Sequence, residues 1–138
     1  MIILIVEDEA LVAMMLEDTL ADAGHEVIGP VHTVAGALTL AEQTRPDLAL
    51  VNINLSDGGN GIELAREMLH RWGTPSLFVS GQRMEARENK DAAIGYLGKP
   101  YSPATVVASV AVAKHIIDEG LPPPPDTPAG LEIFRKPA

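Results

Sequence analysis

Residues 48–58 read "LALVNINLSDG". An apolar run ends in an asparagine and is followed by a turn-forming Asp-Gly pair. A run apolar at every position is what a strand covered on both faces requires, as in a parallel sheet. The strand delivers one polar side chain, Asn52, to the edge of that sheet. Four further runs of the same kind flank it: "IILIV" (2–6), "EVIGPV" (26–31), "SLFVS" (76–80) and "AIGYL" (93–97).

Helical periodicity fills the gaps. Val12, Met15/Leu16, Thr19/Leu20 and Ala23 recur at three- to four-residue steps, and Gly24 stops the helix. Thr33 is a candidate N-cap for a helix carrying Val34, Ala37, Leu38 and Ala41, with Pro46 beyond its end. Ile62, Ala65, Met68 and Leu69 mark a third helix, closed by Gly73 and Pro75. The segment "RMEARENKDA" (83–92) is polar and supports only a weak or truncated helix. Ser102 caps the last one, Pro103 takes its first position, and "ATVVASVAVAKHII" follows. Strand and helix alternate five times. That order predicts an α/β fold, a doubly wound, five-stranded parallel sheet in a three-layer α/β/α sandwich, with right-handed crossovers.

Composition narrows the chemistry. The 138 residues suffice for one domain with a real core; they are 46% apolar and 21% charged, in the ordinary globular range. Aromatics make up 4%, so aliphatic side chains must build the interior. Without cysteine there are no disulfides, thiolate metal sites or thiol nucleophiles, and a hard cation such as Mg²⁺ is the default metal. A formal charge of −9 argues against nucleic acid or an anionic membrane as a partner. "MIILIV" lacks a basic flank and is too short for a leader, and no run reaches a membrane-spanning length, so a cytoplasmic location is expected.

In a doubly wound sheet the site lies at the carboxyl ends of the strands, near the point where strand order reverses. Glu7 and Asp8 end the first strand, Asn52 the third and Ser80 the fourth; Lys99-Pro100 follows the fifth. Two acids, an amide, a hydroxyl and an amine on one edge leave room for a divalent cation beside an anion.

At these residues the chain resembles the CheY-like receiver domain of two-component response regulators. "ILIVEDE" matches the first strand with its acidic pair, and "RPDLALVNINLSDGGNGIELA" the third strand, its loop and the next helix. "LFVSG" and "GYLGKPYSP" match the fourth and fifth strands. The likeness covers about residues 1–118. It implies a (βα)5, flavodoxin-like fold, Mg²⁺ as cofactor, a phosphoryl group received from a histidine kinase or phosphotransfer protein, and a downstream protein partner reached by protein–protein contact. By the same resemblance, Glu7, Asp8 and the backbone carbonyl of Asn54 correspond to metal ligands. Ser80 and Lys99 correspond to the conserved-type hydroxyl and lysine, and Tyr96 and Ser80 to the switch pair. The Lys99-Pro100 bond is implied to be cis.

Asn52 falls on the phosphoacceptor, where the family's chemistry needs a carboxylate. An amide oxygen carries no full negative charge, so aspartyl phosphorylation is not expected, and the metal site loses an anionic ligand. Three readings of Asn52 stay open: natural loss, an Asp-to-Asn replacement that traps the unphosphorylated state, or a simple turn cap. The acids have a second reading as the start of the first helix, at the positive end of its dipole, and Ser80, Lys99 and Tyr96 have ordinary readings as turn hydroxyl, surface lysine and strand filler. His25, His32, His70 and His115 show no metal spacing. "DGGNG" (57–61) is turn chemistry, not a phosphate loop. A flavodoxin-like carrier would need a hydroxyl-rich phosphate loop where "EDEA" stands, and a phosphatase would need a carboxylate at residue 52. The chain is therefore expected to be no enzyme, with a phosphorylation-independent binding module as the alternative.

Beyond residue 118, "DEGLPPPPDTPAG" favours an extended polyproline segment, a Pro-rich tail over 119–138. The closing "LEIFRKPA" has alternating apolar residues, Leu131, Ile133 and Phe134 among them; docking on the domain or a partner is the alternative, and disorder is expected. Val106, Val107, Val110, Val112, Ala113, Ile116 and Ile117 wrap much of the last helix, which suggests a homodimer or partner surface there.

Overall fold

A computed structural model describes residues 1–134. The strands are β1 (Ile2–Val6), β2 (Glu26–Val31), β3 (Leu48–Val51), β4 (Ser76–Ser80), β5 (Gly95–Gly98) and β6 (Leu131–Ile133). The helices are α1 (Ala10–Asp22), α2 (Val34–Gln43), α3 (Gly61–Trp72), α4 (Arg83–Glu88) and α5 (Pro103–Glu119). The sheet order is β2-β1-β3-β4-β5-β6, parallel through β5, with β6 antiparallel on the far edge. The five parallel strands are those the alternation demands.

Every residue of β3 and β4 is buried, which is why these runs show no alternation. Leu4, Val6, Val51 and Phe78 face one core with α2 and α3, whereas Ile3, Ile5, Leu50 and Val79 face the other with α1 and α5. Burying one such side chain contributes about 1.5–3 kcal/mol. Local signals start and stop the helices. Thr33 Oγ1 accepts from the Gly36 amide at 3.0 Å, and Ser102 Oγ accepts from the Thr105 amide at 3.1 Å. Asn60 Oδ1 accepts from the amides of Ile62 and Glu63, and Gly73 ends α3 in the left-handed region at φ 69°. α4 is indeed truncated, six residues burying only Ala86, followed by a 3-10 turn at Lys90–Ala92.

Of the apolar α5 side chains read as a homodimer or partner surface, Val106, Val110, Val112, Ala113 and Ile116 are buried under the sheet beside Leu16 and Leu20 of α1. Val107 and Ile117 are half-buried, and the open side carries Ala104, Ala111, Lys114 and Asp118. The closing segment is not disordered as far as it is described. Leu131 and Phe134 are buried on opposite faces of the sheet, so the alternation in "LEIF" is that of an edge strand. Residues 135–138 of that segment lie outside the described residues.

Candidate functional site

Strand order reverses between β1 and β3, and the polar residues converge at the carboxyl ends of these two strands. The Asn52 amide N–H donates to the Val6 carbonyl at 2.9 Å, extending the β1–β3 ladder by one residue. This fixes the Asn52 side chain beside the acids. Its Nδ2 donates to Glu7 Oε2 at 3.1 Å and to Asp8 Oδ1 at 3.0 Å. Ser56 Oγ donates to Asp8 Oδ2 from the loop beyond β3. Lys99 Nζ lies 3.0 Å from Glu7 Oε1 and 3.5 Å from Glu9 Oε1. The result is one continuous polar chain: Ser56, Asp8, Asn52, Glu7, Lys99, Glu9.

The two acids differ in environment. Glu7 is fully buried, and desolvation holds its carboxyl above the ordinary glutamate range despite the Glu9 amide and the Lys99 ammonium, which pull the other way. Asp8 also meets desolvation as its largest single influence. Hydrogen bonds from Ser56, the Glu7 carboxyl, the backbone and Asn52 together outweigh it and hold Asp8 below the usual range. His32, at the end of β2, places Nδ1 3.0 Å from the Glu7 carbonyl oxygen.

Ser80 and Lys99 sit side by side, since the Lys99 amide donates to the Ser80 carbonyl at 3.1 Å. The buried Ser80 hydroxyl does not reach Asn52; its oxygen accepts from the Gln82 amide at 3.1 Å. Tyr96 is 3% exposed and turned inward. Its hydroxyl lies over Gly98, where a Cβ would come within 3.3 Å of it. Asn54 is exposed in the loop, bridged to Asn60. The Lys99–Pro100 bond is cis. Sequence reasoning missed Glu9, Ser56 and Tyr101. Glu9 was signalled only as the third acid of "EDE". Ser56 had no signal beyond being a loop hydroxyl. The Tyr101 hydroxyl is buried without a hydrogen-bond partner, and its acidity is suppressed by desolvation and by Glu7 and Glu9.

As a metal site this donor set is short. Two carboxylates face it instead of three, and both direct an oxygen onto the Asn52 amide hydrogens, the side from which a cation would be held. Among the described residues no cluster of three acids or histidines is arranged for a metal. The residues as they stand do not fit a resident Mg²⁺.

Five parallel strands in the order β2-β1-β3-β4-β5, with paired acids after β1 and a Lys-Pro pair after β5, define the receiver class of α/β proteins, from which the amide at residue 52 departs. The chain belongs to the response regulator receiver domain family, whose model matches residues 3–111. Over 114 residues it is 37% identical to the phyllosphere-induced regulator PhyR of Methylorubrum extorquens, covering 80% of this chain and 42% of that protein. The receiver domain of a modulated diguanylate cyclase from Desulfovibrio desulfuricans superposes with a TM-score of 0.76 at 32% identity, covering 85% of this chain and 95% of that one. A variant of the anti-anti-sigma factor PhyR from Bartonella quintana gives 0.67 at 28% identity, over 77% and 45% of the two chains. The chain spans about half the length of the curated relatives it matches first. Receiver domains are signalling modules of two-component systems that interact with histidine kinases and generally bind Mg²⁺. No helix among the described residues is long and apolar enough to cross a membrane.

Proposed function

We propose that this chain is a cytoplasmic receiver domain over residues 1–118, followed by a Pro-rich segment over 119–138, that signals by protein–protein contact and is locked out of aspartyl phosphorylation. One observation carries the reading: the Asn52 amide donates to both Glu7 and Asp8. A carboxylate at that position would be the nucleophile toward phosphorus; the amide instead spends its hydrogens neutralising the acids. By the resemblance, Lys99 and the Ser80 hydroxyl are the groups that would meet a phosphoryl group and the Asn54 carbonyl one that would meet the metal, but no carboxylate acceptor stands at residue 52. The chain turns over no substrate of its own, and its affinity for Mg²⁺ is weakened.

The upstream partner is a histidine kinase or phosphotransfer protein. Leu11 and Met14 on α1 are 82% and 56% exposed, one turn apart beside Glu9, and offer such a partner an apolar contact. One relative is described as an anti-anti-sigma factor, and by analogy the downstream partner is a regulatory protein. A phosphorylation-independent binding module is the second reading. It is favoured by Tyr96, whose side chain is buried in the core of a chain without a carboxylate at residue 52. Intact mass after incubation with Mg²⁺ and a small phosphodonor, on this chain and on Asn52→Asp, tests both. A phosphoryl gain by Asn52→Asp alone supports a receiver silenced at one atom. No gain by either supports the binding module, and a gain by the unaltered chain overturns both.

A further inference from the structure

The edge of β5 is built to receive a strand. The β6 backbone runs antiparallel along it, pairing Gly95 with Ile133, Tyr96 with Glu132 and Leu97 with Leu131. Bonds from Gly98 to the Gly130 carbonyl (3.4 Å) and from Phe134 to the Ile94 carbonyl (2.7 Å) close both ends. Gly95 is required for this approach: a Cβ there would stand 2.5 Å from the Glu132 carbonyl oxygen. Side chains add selectivity. Leu131 enters the core shared with α5, Phe134 enters the opposite core beside Ala92 and Ala93, and Arg87 Nε of α4 pairs with Glu132 Oε1 at 2.8 Å. Backbone pairing with alternate side-chain anchors and one charge contact is the pattern of strand addition.

The tether is different in kind. None of residues 120–130 is buried, although both flanking segments are anchored. The segment holds four consecutive prolines; Thr127 bonds within it to the Pro124 carbonyl, while outward the Gly120 amide donates to the Ile116 carbonyl and the Gly130 carbonyl accepts from the Gly98 amide. Among the described residues, the buried contacts that hold the tail are therefore made by 131–134, and none depends on which copy of the chain supplies them.

We propose that the β5 edge is a homotypic docking site, and that at raised concentration residues 131–134 of a second copy occupy it in reciprocal exchange. The partner is the same chain because the acceptor edge is matched to this strand: bare backbone at Gly95, apolar sockets for Leu131 and Phe134, and Arg87 facing Glu132. The exchange involves neither Asn52 nor the acids, so it stands apart from the phosphorylation reading.

Charge complementation on full chains tests it. Arg87 and Glu132 are 45% and 32% exposed, so Arg87→Glu and Glu132→Arg leave the core intact. Each variant alone sets like charges against each other within a copy and between identical copies. Mixed, they form two restored pairs only if strands cross between copies. Light scattering at low salt is expected to show doubled mass in the mixture, with about tenfold more dimer than in either variant alone. A mixture that stays monomeric up to about 1 mM overturns the proposal. So does equal dimer in the separate variants, or a wild-type dimer that persists in Phe134→Ala, which would place the interface elsewhere.

Discussion

At the scale of single residues, the decisive atom is the amide nitrogen of Asn52. It donates one hydrogen to Glu7 and one to Asp8, doing in neutral form what a bound cation does with charge. Asn52→Asp removes both donors and sets a third carboxylate against two others, which without metal disfavours the folded state. The expected loss is about 1–3 kcal/mol in urea unfolding without divalent cations, recovered on adding Mg²⁺, while the unaltered chain responds little. An equal Mg²⁺ response in both would show that the amide does not take the cation's place. Glu7 gives a second expectation. Its carboxyl is raised above the ordinary 4.5 by desolvation, so the native state binds more protons there than the unfolded chain. Its contribution is then fully present below pH 4.5 and is lost as pH rises through the folded value. Asp8 has the opposite sign: its contribution is present above the ordinary 3.8 and lost as pH falls through its lowered value. Urea midpoints across pH 3–7 should show stability falling above the Glu7 onset, a slope that Glu7→Gln flattens.

At the scale of elements, the β3–α3 connection sets the site as firmly as the strands do. Gly61 begins α3 against the end of β3, and a Cβ there would stand 2.1 Å from the Asn52 carbonyl oxygen and 2.8 Å from a methyl of Val51. Neither neighbour can yield without moving the residue that holds the acids. Gly61→Ala should therefore cost more than about 2 kcal/mol and displace Asn52. Asn60→Ala, one residue earlier, loses only the cap bonds to Ile62 and Glu63 and should cost about 1 kcal/mol with the site unmoved. Thermal melts give the costs, and the Asn52 side-chain amide resonances in NMR report whether it moved. The turn character of "DGGNG" was legible, because Gly and Asn have few other uses in such density. The packing demand on its last glycine was not, since a close approach leaves no trace in local sequence.

At the scale of the molecule, what the sequence made legible follows the periodicity of burial. β1, β3 and β4 are covered on both faces, so their runs are continuous and place the strand ends, and with them Glu7, Asp8, Asn52 and Ser80. The apolar girth of α5 was visible too, but its meaning depends on what lies opposite, and sheet and α1 bury it. β6 was hidden for a related reason: the alternation in "LEIF" is only a few residues long and follows eleven residues without buried side chains, too little to tell a docked strand from a loose end. Its anchors nonetheless reach both cores, Leu131 on one face and Phe134 on the other. Phe134 follows the last paired residue, so losing it opens an edge and leaves the parallel sheet standing. Truncating a well-buried Phe in a core costs about 3–5 kcal/mol, but an end that can fray recovers part of this by releasing its strand. Phe134→Ala should then lower unfolding stability by about 1–3 kcal/mol. Amide exchange should rise at Leu131, Ile133 and the paired positions of β5 while β1 and β3 keep full protection. A loss of protection spread evenly through β1 and β3 would instead make the tail part of the cooperative core.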